Sequence, residues 1–316
     1  PYLNSLKLKD INGTVLMLEK SKNGIYASGT YYEYLLSTIE GSLNNFLRDT
    51  TFPYTKTAGG FMADRVFGGG APMGMAPGGN MPPGGMPGGM VPGGNMSHAQ
   101  QAAPVTYNTT KEYIASLNSE EEWVKYDAKT NTVKITSIEA FVKHNKNATK
   151  SVPAFDDLNR TQAENNLFGN DASDSLHFDG VVADLLQSNK GNYSAYHDLN
   201  SSIVEAYATD LKALDKFNNS IQYRLNMYNP MYYVSDGYDG YKTSSPATHW
   251  RIRTGIEQGD TALTVETNLA LALDQDDRVK DVDSETVWGM GHTTAERSGS
   301  STDNFISWVN KCSEQK

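Results

Sequence analysis

The chain is predicted to be an α/β protein, and three observations carry that prediction. The stretch 249–316 alternates strand-like and helix-like segments. An acidic turn follows the first strand-like segment, and a histidine follows the second. The chain up to about residue 225 reads mostly as helices and loops.

HWRIRTG, residues 249–255, alternates apolar Trp250 and Ile252 with polar neighbours and stops at Gly255, as a half-buried strand does. Glu257 and Asp260 follow directly. Leu263, Val265, Leu269 and Leu273 then recur at helical spacing and are expected to share one face. A second strand is expected from Val282 to Trp288, ending in Gly-Met-Gly-His, so that His292 stands on a loop just past a strand. The closing stretch STDNFISWVNKC reads as a final helix.

An acid after one strand and a histidine after the next is how an α/β-hydrolase presents two of its three catalytic groups. On that reading His292 is the general base toward a serine hydroxyl and then the general acid toward the leaving alcohol. Asp260 or Glu257 fixes its tautomer. The nucleophile itself is not evident. No G-x-S-x-G occurs, and Gly299-Ser300-Ser301 lacks the second glycine and follows the histidine. Cys312 is the single cysteine and is expected to be packing within the last helix. The expected architecture is therefore the C-terminal part of an α/β-hydrolase sheet at 226–316, with a large, mostly helical lid insertion at 1–225. The nucleophile and first strands would precede Pro1.

Composition limits the alternatives. An apolar fraction of 38% is low for 316 residues in one globule and suggests inserted or disordered material. A net charge of -10 with no basic stripe argues against nucleic-acid binding. No apolar run is long enough for a membrane span. One cysteine excludes an internal disulfide framework and leaves the compartment open, with a secreted or envelope location slightly favoured.

Along the chain, Asn12-Gly13 and Asn23-Gly24 predict turns. Leu35, Ile39, Leu43, Phe46 and Leu47 predict a helix over 31–49, which Gly41 weakens. Residues 68–104 are Gly, Pro and Met and cannot build a core, so a disordered loop is expected. Their methionines are irregularly spaced, with one histidine, His98, and no cysteine among them, which disfavours a soft-metal site. Tyr113, Ile114 and Leu117 predict a short helix, Ser119 with Glu122 a capping box opening another segment, and 132–135 a strand. Ile138, Phe141 and Val142 predict a further helix, and 150–169 reads as a loop. Ile203, Val204, Tyr207, Leu211, Leu214 and Phe217 predict a helix over 201–218. Pro230 predicts a helix boundary, and 236–249 a polar connector.

Two metal readings fail. Residues 274–285 place acids at the first, third and twelfth positions of a calcium loop, but Arg278 and Val279 stand where a ligand and a glycine are needed. The six histidines are scattered without H-E-x-x-H. No cofactor or metal is expected.

KSVPAFDDLNRTQAENNLFG, NPMYYV, HWRIRTGIEQGDTAL and the Gly-His loop with its closing helix together resemble the bacterial tannase and feruloyl-esterase-like group of α/β-hydrolases. They cover roughly the last half of the chain. The resemblance implies that a lid Lys and Glu fourteen residues apart hydrogen-bond the phenolic hydroxyls of a galloyl group; Lys150 and Glu164 hold that spacing. It also implies a G-x-x-D-x-D turn whose first Asp is the catalytic acid. Here the turn reads Gly255-Ile-Glu-Gln-Gly-Asp260, with Gln258 at the first Asp. Asp260 or Glu257 then serves as the acid, Asp260 being preferred. The implied partners are a small-molecule ester and the remainder of the hydrolase core. The reading from another class is a non-catalytic binding module on a degenerate hydrolase scaffold; a serine peptidase of the same fold is a third.

Overall fold

The computed structural model describes residues 2–56, 104–145, 155–192, 201–258, 261–291 and 295–314. Asp260, His292 and Lys150 lie outside these residues, as do 68–103 of the Gly/Pro/Met stretch. The chain divides into two compact units, each drawn from separated stretches. One comprises Pro1–Tyr31, Ala148–Trp250 and Thr264–Val282; the other comprises Tyr32–Asn147, Arg251–Leu263 and Asp283–Lys316. The boundary expected near residue 225 falls inside the first of these. Helices are mixed with small two-stranded sheets throughout.

The second unit has one continuous apolar core. The helix Thr30–Asp49 supplies Ile39, Leu43 and Leu47 to it, from the face its periodicity predicts. Tyr113, Ile114 and Leu117 come from the helix Thr110–Leu117, which Thr109 caps by accepting from the Glu112 amide. Val124, Val133 and Ile135 come from the antiparallel strands Val124–Asp127 and Thr132–Ile135. Phe141 comes from the helix Ile138–Asn145, whereas Val142 on the same helix is exposed. Phe46, Tyr54, Tyr107 and Tyr113 form a ring cluster with centroids 5.1 to 6.5 Å apart. Tyr54 and Tyr107 belong to a second antiparallel pair, Tyr54–Lys56 with Val105–Tyr107. The capping box expected at Ser119 does not form. Asn118 takes over the turn instead, accepting from the Trp123 and Val124 amides and donating to the Val124 carbonyl.

The first unit is organised around a buried carboxylate. Asp156 is 1% exposed. Its Oδ1 accepts from Asn165 Nδ2 at 2.8 Å and lies 2.7 Å from His177 Nδ1. Its Oδ2 accepts from the Phe178 and Asp179 amides at 2.8 and 2.7 Å. The His177 ring stacks on Tyr207, whose hydroxyl donates to the Asp156 carbonyl. Burial raises the Asp156 pKa, but the bond to His177 and those to the two amides and Asn165 outweigh it, so the carboxyl titrates below its ordinary value. This network fixes residues 155–169 of the expected loop, where among the described residues the short helix Ala163–Asn166 is the one helix. Around it pack the helices Gly180–Asn189 and Ser201–Asp210, through Val182, Leu186, Val204 and Tyr207.

The helix expected over 201–218 stops at Asp210. The Asp210 carboxylate is held by Arg160 and by the His177 amide. Beyond it Asp215 accepts from the Phe217 and Asn219 amides, closing a turn that leaves Leu214 and Phe217 exposed. Helices Ile221–Tyr228 and Met231–Val234 flank Pro230, as expected. Gly13 and Gly24 both have positive φ, in the turns that Asn-Gly predicts. Arg278, which breaks the calcium-loop pattern, binds Asp276 from Nε at 2.8 Å. Among the described residues no acidic, His or Cys cluster could hold a metal, and no helix is long and apolar enough to cross a membrane.

Replacing Asp156 with Ala strands His177, Asn165 and two amides, and is expected to cost about 3 kcal/mol in denaturant unfolding. Because its folded pKa is lowered, the wild-type residue stabilises above the unfolded carboxylate value of about 3.9 and loses that contribution as pH falls through the folded value. The stability gap between the two proteins should therefore close on acidification below about pH 4. Gly41 is exposed on its helix with open space where a Cβ would stand. Gly41→Ala is expected to stabilise by about 0.5–1 kcal/mol in the same assay.

Candidate active site

The strands His249–Gly255 and Asp281–Val287 pair with each other. The Lys280 amide donates to the Thr248 carbonyl at their starts, and the Ile256 amide to the Val287 carbonyl at their ends. Start meets start and end meets end, so the two strands run the same way. Parallel neighbours need a crossover, and the helix Leu263–Asp274 is that crossover. The face of this helix differs from expectation. It buries Thr267, Asn268, Leu271, Ala272 and Leu273, while Val265 is exposed. Asn268 turns inward because its Oδ1 accepts from the buried Tyr31 hydroxyl at 2.6 Å.

Both strands release their chains on the same side. The Glu257 amide donates to the Met290 carbonyl at 3.0 Å. A Cβ on Gly255 would stand 1.9 Å from the Gly291 carbonyl oxygen and 2.3 Å from that of Met290. Only glycine permits this approach. The turn that leads to position 260 and the loop that leads to position 292 are thus laid backbone to backbone.

Side chains brace both turns. Gln258 folds over its own turn, with Nε2 donating to the Thr261 carbonyl at 2.7 Å and Oε1 accepting from the Thr261 amide at 2.9 Å. The residue at the first Asp of the expected pattern is therefore bound to Thr261. Glu257, the alternative acid, accepts from Lys56 Nζ at 2.7 Å, and both side chains are largely covered. Burial, followed by the Glu257 charge, pushes the Tyr54 hydroxyl up to about 12.

The chain beyond position 292 is anchored by Glu296, which is buried. Arg251 grips it with Nη1 and Nη2 at 2.8 and 2.9 Å. Arg253 grips both Asp283 oxygens at 2.7 Å. Asn304, on the closing helix Ser301–Glu314, also donates to Glu296 at 3.1 Å. Two arginines meet two carboxylates here, and the Glu296 bond holds the Arg251 guanidinium above its ordinary pKa despite burial. Alternation along HWRIRTG predicts ion pairs on this sheet face, and they are present. Sequence reasoning assigned no role to Glu296 or Lys56; Lys56 carries no local signal, because its partner is two hundred residues away in the chain.

Glu164 belongs to the other unit, in the first turn of Ala163–Asn166, and is half-buried. Its neighbour Asn165 faces Asp156 and fixes the local backbone. The closing helix buries none of its residues, so Cys312 is half-exposed rather than packed.

A tannase from Fusobacterium nucleatum shares this fold at a TM-score of 0.52 and 23% identity, over 98% of this chain and 43% of that one. A tannase from Lactobacillus plantarum matches at 0.50 and 19%, with the same coverages. The chain has a tannase-like fold. It spans less than half the length of those two proteins. The match takes in nearly all of the chain, including the first hundred residues, which the sequence motifs left outside the resemblance. No family model matches the chain, and no curated protein matches it in sequence.

Gly255→Ala drives a methyl group into the Gly291 carbonyl and is expected to lower stability by about 2–3 kcal/mol. The bonded Ile256 and Glu257 amides are expected to exchange slowly in the parent protein. That protection is expected to be lost in the variant.

Proposed function

We propose that this chain is part of a carboxylic ester hydrolase built on an α/β-hydrolase scaffold, acting on a phenolic or other small acyl ester. The observation that carries the reading is the parallel strand pair whose two following turns are pressed together at Gly255 and Gly291. That geometry suits delivery of an acid and a histidine to one point, and the tannase-like fold supports it.

In this reading His292 is the general base and Asp260 its carboxylate partner. Lys56 occupies Glu257, which favours Asp260 for that role. The clasp of Gln258 on Thr261 would steady the Asp260 turn, and the grip of Arg251 on Glu296 would steady the His292 loop. A serine and an oxyanion hole come from sequence outside this chain. The half-exposed closing helix, with Phe305 and Ile306 open, offers an apolar surface for that remainder. The helical and loop-rich region up to about residue 225 acts as a lid, and from it Lys150 and Glu164 contact the hydroxyls of the acyl group. A charged pair of this kind rejects acyl groups without matching hydroxyls, which would leave it unpaired.

The test is hydrolysis of a small chromogenic ester by the full-length protein that contains this chain. His292→Ala is expected to reduce kcat/KM by about 10³-fold or more. Activity of the parent should rise with pH as the imidazole loses its proton, because a general base must be neutral. Asp260→Asn should cost at least about 10²-fold and Glu257→Gln far less. The reverse order would exchange their roles. An inactive parent, or a His292→Ala variant equal to it, would overturn catalysis and leave a binding module on this scaffold. Lys150→Ala and Glu164→Ala are expected to raise KM for gallate esters while leaving unsubstituted esters unaffected.

A further inference from the structure

The turn that carries Glu164 has little to hold it locally. The helix Ala163–Asn166 is 4 residues long, far short of the length at which a helix stands by itself. Gln162 precedes it without a side-chain cap. Its form therefore depends on partners outside the turn.

Two anchors supply them. Asn165, next to Glu164, is fully buried. Its Nδ2 donates to Asp156 Oδ1 at 2.8 Å and to the Leu176 carbonyl at 3.0 Å. Its own carbonyl accepts from the Leu176 amide at 3.2 Å. Asn165 is thus fixed through side chain and main chain together. At the far end, the Arg224 guanidinium donates to the Leu167 and Phe168 carbonyls and stands 5.5 Å from the centre of the Phe168 ring. The Glu164 carbonyl accepts from the Leu167 amide at 3.1 Å, so this second anchor reaches the same turn.

Asp156 holds the first anchor in place. The Phe178 and Asp179 amides donate to its carboxylate, and the Tyr207 hydroxyl donates to its carbonyl. A displaced Asp156 carboxylate would release Asn165, and with it the peptide unit that joins Asn165 to Glu164. At 1% exposure Asp156 is too deep to touch a substrate, so its influence passes through Asn165.

We propose that Asp156 is a positioning residue for acyl-group recognition: through Asn165 it fixes the backbone from which Glu164 meets the hydroxyls of a phenolic acyl group. The proposal rests on the ester-hydrolase reading above and adds to it a residue with no part in the chemical step.

The full-length protein that contains this chain is assayed on a gallate ester and on the matching unsubstituted benzoate ester. The parent is compared with Glu164→Ala, Asp156→Asn and the double variant. Asp156→Asn keeps the side-chain shape, but an amide accepts only through its oxygen and cannot serve all the partners of the carboxylate. It is expected to raise KM for the gallate ester about five- to tenfold, with kcat within about twofold and the benzoate ester unaffected. The double variant should be no worse than Glu164→Ala, because both changes remove the same interaction. A general loss of structure would instead slow both esters, and its effect would add to that of Glu164→Ala. Tyr207→Phe deletes one hydroxyl from the same network and should raise gallate KM by about twofold; it carries the test if Asp156→Asn does not fold. The positioning role alone is overturned if Glu164→Ala raises gallate KM and neither network variant does, if the benzoate ester suffers equally, or if the effects add. A Glu164→Ala variant equal to the parent overturns the reading of Glu164 and this proposal with it.

Discussion

The arrangement of the candidate active site depends on four charges that meet on one sheet face. Arg251 and Arg253 leave the first strand on the same side, two residues apart, as strand geometry requires. Asp283 rises from the neighbouring strand, and Glu296 enters from the segment after the His292 loop. Such a cluster contributes little net stability, since desolvating the charges offsets most of their attraction. Its effect is on specificity of structure: a Glu296 displaced from Arg251 would leave a buried carboxylate without a counter-charge. The chain after the loop therefore has one low-energy place to go, and Asn304 carries that constraint into the closing helix.

The other unit uses the same physics around a single carboxylate. Asp156 satisfies both oxygens with four partners from two separate segments, Asn165 and the run His177–Asp179. Four charge-assisted bonds outweigh burial and keep it ionised. The stretch so fixed is Asn- and Asp-rich and has almost no regular secondary structure. It holds its shape by side-chain bonds, and it carries Glu164 at its surface. Rigid presentation of a polar side chain from a non-helical segment needs such a buried anchor.

The backbone crossing at Gly255 and Gly291 links these observations to chemistry. Two turns that touch through their main chains cannot drift apart without breaking the bond between Glu257 and Met290. The backbone at the start of both turns therefore keeps a near-constant separation, a geometry that suits the acid–histidine pair proposed above. Engagement of Glu257 by Lys56 narrows the choice of acid by occupying one candidate.

The amino-acid sequence by itself determined the local elements and the order in which they occur. Alternation in HWRIRTG, the periodicity of Ile39, Leu43 and Leu47, and the Asn-Gly turns are consequences of nearest-neighbour sterics and of one buried face, and each is present in the structure. The turns that follow Gly255 and Trp288 were legible for the same reason, as punctuation after strands. What tertiary structure alone decided are the features whose partners lie far away in the chain. Periodicity placed Leu214 and Phe217 in a helix, but Arg160 and the His177 amide fix Asp210, and the turn beyond it ends that helix. Asn268 faces inward only because Tyr31 meets it there. Lys56 finds Glu257. None of these has a local signature, because a hydrogen bond between residues separated by tens to hundreds of positions leaves no pattern in either one's neighbours.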